Sequence, residues 1–153
     1  MRDLIFRGKR LDNGSWVSSG NLIQFTEGRE VFIPDAASGC LARHDEETDD
    51  IVELWDARFR KVDPETVGQF TGFRDSAKNR IFEGDILHLP DVHFPDGEVL
   101  VSRDALVLWA DGGWMLRYSG AETHLLDVLE EDVAQEATIA GNIYDDPQLM
   151  EVE

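Results

Sequence analysis

The sequence predicts a mainly β fold of the small barrel or sandwich kind, with a few short helical segments. Three observations predict it. Gly, Asn and Asp punctuate the 153-residue chain about every ten residues. The runs between them are short, apolar-rich and often alternating, as in "RIFEGDILHL", Arg80 to Leu89. Gly68 and Gly72 break any helix in the middle of the chain. Short strands with frequent turn signals give a sandwich or barrel.

Taken in order, "DLIFRGKRL" is a first strand, and "DNGS" after it is a turn in which Asn13-Gly14 take positive φ. "WVSSGNLIQF" is the return strand, "TEGR" a second turn, and "EVFIP" a strand ended by Pro34. Residues 35–50 are small, polar and acidic, and read as a loop. "IVELWDARFRKV" fits a helix in its first half and a strand in "RFRKV". Asp63-Pro64 starts a turn, and "SAKN" is another. "DVHFPDGE" reads as a polar loop. "VLVSRDALVLWA" is a long β run broken near Arg103-Asp104, and "DGG" turns it into "WMLRY". A short helix is expected within "THLLDVLEEDVAQEATIAG", and "DDPQLM" starts another with an Asp N-cap and proline at the first position.

The charge is −18, from 32 acidic and 14 basic residues. No Lys or Arg follows Arg117, and "HDEETDD", His44 to Asp50, is a second acidic cluster. Such a surface repels phosphate backbones, so direct nucleic-acid binding is not expected. Its plain role is solubility; its sharper one is competition with nucleic acid for a basic partner. No run is apolar enough for a membrane helix, and the N-terminus lacks a secretory pattern. One cysteine, Cys40, excludes an intramolecular disulfide. A cytoplasmic location is expected.

Chemistry-bearing motifs are few. Glu83 and Asp85 flank Gly84: either a carboxylate pair or the corner where the chain enters a barrel, and the corner is the better reading. It places Phe82, Ile86 and Leu89 in the core. His88 and His93, with Asp85, Asp91 and Asp96, match no compact metal-ligand spacing and read as loop residues. Cys40 reads as a small apolar residue. The tryptophans Trp16, Trp55, Trp109 and Trp114 read as core, with Trp109 and Trp114 packed across one hairpin. There is no P-loop, dinucleotide fingerprint or nucleophile elbow. No cofactor, metal or enzymatic activity is expected.

Three ordered motifs resemble the YopX-like proteins of phages and prophages. The first is Thr66-Val67-Gly68-Gln69-Phe70-Thr71-Gly72; the second is Phe82-Glu83-Gly84-Asp85-Ile86. The third is the ending "GNIYDDP", in which Gly141, Asn142, Tyr144 and Pro147 correspond. The start, "MRDLIFRGKRLDNGSWV", is also similar. The family usually has an Asn-Gly-like turn where this chain has "SAKN". The resemblance implies an SH3-like barrel over residues 63–153, preceded by an N-terminal β-hairpin region over 1–62, in a protein of phage or prophage origin. It carries no assigned activity. The expectation is an accessory protein acting through protein contacts, self-associated as a homo-oligomer. The alternative is an acidic nucleic-acid mimic that inhibits a host DNA-binding or defence protein.

Overall fold

A computed structural model describes residues 4–20, 23–25, 29–34, 59–119 and 126–151. The readings that fall on Cys40, Trp55, the acidic stretch His44 to Asp50 and the first half of "IVELWDARFRKV" lie outside them. The fold is mainly β, and the chain divides into two compact units, Met1–Gln69 and Phe70–Glu153.

In the first unit, β1 (Phe6–Lys9) pairs antiparallel with β2 (Trp16–Ser19), Gly8 standing opposite Val17. The turn between them differs from the expected two-residue form. Arg10 N–H donates to the Ser15 carbonyl, closing a four-residue loop, and only Gly14 takes positive φ. Asn13 instead accepts the Ser15 N–H with its side chain, the local alternative open to an amide. "WVSSGNLIQF" is not one return strand. It splits after Ser19, and β3 (Ile23–Phe25) pairs with β4 (Glu30–Pro34), which pairs with β5 (Phe59–Val62). Val31, Ile33 and Val62 are buried together, with Val17 and Val67 against them. Gly8 lies over this cluster, where a Cβ would come within 2.8 Å of Val62.

A 3-10 turn, Pro64–Thr66, leads into β6 (Gly68–Arg74). Asp63 caps it through the Glu65 N–H, with proline just inside the start. Thr66, buried, fixes this turn to β1: its hydroxyl donates to the Asp63 carbonyl and accepts the Lys9 N–H. Gly68 and Gln69 stand opposite Arg7 and Phe6.

The second unit is built on a five-stranded antiparallel sheet that curls into a half-barrel. Its strands are β8 (Asp85–Leu89), β11 (Arg103–Ala110), β12 (Gly113–Tyr118), β13 (Leu126–Val128) and β14 (Thr138–Asn142). The spatial order is β13-β12-β11-β8-β14. Period-two burial defines its core face: Leu87 and Leu89, Ala105 and Val107, Trp114 and Leu116 share one cluster. The helix α1 (Glu131–Glu136) closes that cluster with Ala134, and Ala137 follows. Leu106 and Ile86, on the opposite face, are buried as well. The β11–β12 hairpin turns on Asp111 (φ +52°) and Gly112 (φ +80°), the two positive angles a type I′ turn needs.

β7 (Arg80–Phe82) pairs with β6, and the register slips between Phe70 and Arg74. Gly72 sits in that bulge with φ +90°, and the Thr71 hydroxyl stitches it, donating to the Ile81 carbonyl and accepting the Phe73 N–H. The expected polar loop at 90–98 is structured. It carries a small hairpin, β9 (Val92–His93) with β10 (Val99–Leu100), closed by the Phe94 N–H on Glu98. The long β run breaks at Val101 and Ser102, two residues before the expected place. "DDPQLM" forms a 3-10 helix, Pro147–Met150, and Asp146 does not cap it through its side chain.

Candidate functional site

Two places in the second unit gather polar side chains against buried surface. The first is the corner between β7 and β8. Gly84 takes φ +91°, its N–H donates to the Val107 carbonyl and its carbonyl accepts the Ile143 N–H. A Cβ there would stand 2.9 Å from the Tyr144 ring. Asp85 is almost fully buried, and its carboxylate accepts the Phe82 N–H at 2.8 Å, spanning the turn. Glu83 is half-buried, and that burial raises its carboxyl above the ordinary value. Because Gly84 turns the chain between them, Glu83 and Asp85 do not share one face of an extended strand. Phe82, Ile86 and Leu89 are buried.

The closing segment builds the other side of the corner. Asn142 pairs with Asp85 in register, and its side-chain oxygen accepts the Tyr144 and Asp145 N–H groups. The Asp146 carboxylate folds back to the Asn142 N–H and fills the space a Cβ on Gly141 would need. Asp146 therefore acts backwards, toward β14, and Pro147 alone sets the first position of the 3-10 helix. A third carboxylate, absent from the motif reading, does comparable work. Asp75, 3% exposed, accepts the Ala77, Asn79 and Ile139 N–H groups, holding the "SAKN" turn against β14. Its signal was available: Asp two residues before Ala77 in a turn-rich stretch is the pattern of an Asx turn.

The second place is a cavity of about 390 Å³ between the β9–β10 hairpin, the sheet and α1. Leu89, Val92, Leu100, Val128 and Val133 give it apolar walls, Val92 standing opposite Leu100 in the hairpin register. Arg103 stands opposite Leu89, and its guanidinium lies 3.7 Å from the centre of the Tyr118 ring. Burial, then the neighbouring Asp127 carboxylate, raises the Tyr118 hydroxyl above its usual value, while Arg103 pulls it back. Glu130 and Glu136 complete the rim.

The two histidines are strand residues, not loop residues. His88 lies on β8 opposite Asp104, with its Nδ1 2.9 Å from that carboxylate; His93 lies on β9 opposite Val99. Among the described residues no group of His, Cys, Asp or Glu could hold a metal ion. Trp109 and Trp114 meet edge to face at 4.9 Å across the type I′ turn, but only Trp114 is core: Trp109 is half exposed. Arg7 stacks on Trp16 at 4.6 Å. No helix among the described residues is long and apolar enough to cross a membrane.

The family model described as YopX protein matches residues 5–151. The chain belongs to the YopX family. No curated protein matches it significantly. A crystal structure of protein EF1440 from Enterococcus faecalis shares the fold, with a TM-score of 0.53 and 19% identity over 99% of this chain and 100% of that one. In this YopX chain the three motifs sort by place. Thr66, Gly68 and Gln69 fasten β6 to β1. Thr71 and Gly72 form the β6–β7 bulge. Glu83, Gly84 and Asp85 meet Asn142 and Tyr144 at one corner, with Gly141 and Pro147 beside them. None of the motif residues lines the cavity; its rim comes from Arg103, Tyr118, Asp127, Glu130 and Glu136, which the motif reading did not select. The signal for one of them was helical: Glu136 follows Val133 by three residues, one face of α1.

Proposed function

We propose that this YopX protein is a non-enzymatic accessory protein of a phage or prophage that works by binding a basic protein, its C-terminal half-barrel being of the SH3-like kind. One observation carries the reading. The acidic excess is concentrated in Phe70–Glu153, with eighteen acidic and five basic side chains, while the buried carboxylates Asp85 and Asp75 accept backbone N–H groups. The carboxylates fixed in the fold are thus separate from those that give the surface its charge. A surface of this sign attracts cationic partners over long range and mainly raises the rate of association. The same concentration favours a second reading, in which the acidic surface imitates a phosphate backbone and inhibits a host DNA-binding or defence protein.

The test is capture of partners from a bacterial host lysate, identified by mass spectrometry, followed by titration at two salt concentrations. The screening length shortens from ~30 Å at 0.01 M salt to ~10 Å at 0.1 M, so affinity should fall steeply over that range. Replacing Glu130, Glu131 and Asp132 together by their amides should slow association more than it speeds dissociation. A partner that is a DNA-binding protein, displaced by DNA, selects the mimic. A partner bound equally at both salts, or one with no basic surface, rejects both readings. We also propose self-association into a homo-oligomer; a monomer by light scattering across the micromolar range would refute it.

A further inference from the structure

We propose that the cavity beside α1 seats a lysine or arginine side chain flanked by apolar residues, supplied by an extended segment of a basic partner protein. This rests on the partner-binding reading above and gives it a place on the molecule.

Charge and shape in the cavity select such a side chain. Three carboxylates, Asp127, Glu130 and Glu136, face one guanidinium, so the rim is negative by two. That guanidinium lies over the Tyr118 ring, and with its charge counted the carboxylates still outnumber it at the rim. The walls are aliphatic, which suits the methylene stem of a long cationic side chain whose head reaches the rim. The volume lies within the range of ligand pockets and exceeds one such stem, leaving room for an apolar neighbour. Val92 and Val128 are 37% and 59% exposed, an apolar margin that a hydrophilic polyamine would leave wet but a peptide with apolar residues beside its cation would cover. The partner can also approach as a strand. β13 is the outermost strand of its sheet and pairs, among the described strands, only with β12, so Val128 stands at an edge next to the cavity.

The experiment uses the full chain and capped tripeptides: Leu-Arg-Leu, Leu-Gln-Leu and Leu-Glu-Leu, with spermidine as the free polyamine. Binding is followed by NMR on backbone and methyl signals. Leu-Arg-Leu should bind and shift Leu100, Tyr118, Val128 and Val133; Leu-Gln-Leu and Leu-Glu-Leu should bind at least tenfold more weakly. The double variant Glu130→Gln/Glu136→Gln should lose about tenfold in affinity for Leu-Arg-Leu, the scale of two partly exposed ion pairs. Glu131→Gln/Asp132→Asn removes the same charge from the same helix outside the cavity and should change affinity less than threefold. Equal losses in the two variants, tighter binding of Leu-Glu-Leu, tighter binding of spermidine, shifts scattered over the acidic surface, or no binding would each overturn the proposal. The two readings fail separately. A basic host partner whose binding ignores the Glu130/Glu136 pair sinks the cavity alone. Cavity binding of Leu-Arg-Leu with no basic partner in the lysate sinks the function alone.

Discussion

Residues 1–69 carry nine basic and fourteen acidic side chains; residues 70–153 carry five and eighteen. The units also fix their backbones differently. In the first, the buried polar anchor is a neutral hydroxyl, Thr66, and the tight glycine, Gly8, has an ordinary φ and is needed because Val62 and Ile33 occupy the space of a side chain. In the second, two buried carboxylates, Asp75 and Asp85, act as anchors beside one buried hydroxyl, Thr71, and the tight glycine, Gly84, is needed first for its positive φ. A carboxylate accepts several N–H groups at once and does so more strongly than a hydroxyl. The unit with the larger negative excess therefore also buries two carboxyl side chains, and each of them accepts backbone N–H groups.

The largest break in this comparison should come from Asp75→Ala. Three N–H groups lose a buried acceptor, two of them on the exposed residues Ala77 and Asn79 where water can reach, and we expect about 2–3 kcal/mol of destabilisation. Denaturant unfolding monitored by tryptophan fluorescence measures it; a loss below about 1 kcal/mol would show that water replaces the carboxylate readily. Its counterpart, Thr66→Val, removes one donor–acceptor hub of the first unit and should cost about 1–2 kcal/mol.

The glycines sharpen the contrast. Gly8→Ala and Gly84→Ala should each cost roughly 1–3 kcal/mol, one by overpacking and the other by backbone strain. The causes separate in double variants. Val62→Ala should recover part of the Gly8→Ala loss, because it removes the Cγ2 that a Cβ on Gly8 would meet at 2.8 Å, while the Val62 Cβ and the Ile33 side chain stay close. Tyr144→Ala should recover little of the Gly84→Ala loss, because φ near +91° remains unfavourable with any Cβ. Full rescue by Tyr144→Ala would reduce the corner to a steric contact.

The smallest effect is one of pH. Burial raises the Glu83 carboxyl above its ordinary 4.5. The folded chain then keeps this proton at pH values where the unfolded chain has released it, so stability contributed by the protonated form is lost as pH rises from 4.5 through the raised value. Glu83→Gln should flatten that decline and leave the protein slightly more stable than wild type near neutrality. Thermal midpoints of both proteins at a series of pH values test this; parallel curves would remove Glu83 from the account.

The sequence by itself determined the β class, a hairpin turn within Asp111-Gly112-Gly113, a short helix between Thr123 and Gly141, the corner at Glu83-Gly84-Asp85 and the family. These rest on information within a few residues: alternation, glycine where φ must be positive, Asp and Asn beside the amides they accept. Tertiary structure decided what depends on partners distant in the chain. "WVSSGNLIQF" has the pattern of one strand, yet β1 takes its first half and β4 its second. Asp146 carries a helix-start signal, yet the Asn142 N–H and the gap over Gly141 hold its carboxylate instead. Val92 reads as part of a polar loop and Leu100 as part of the long β run after it, and only their pairing makes a wall. The cavity has no motif because its rim comes from β11, β12, β13 and α1, four elements whose residues share no local spacing and meet only when the sheet curls.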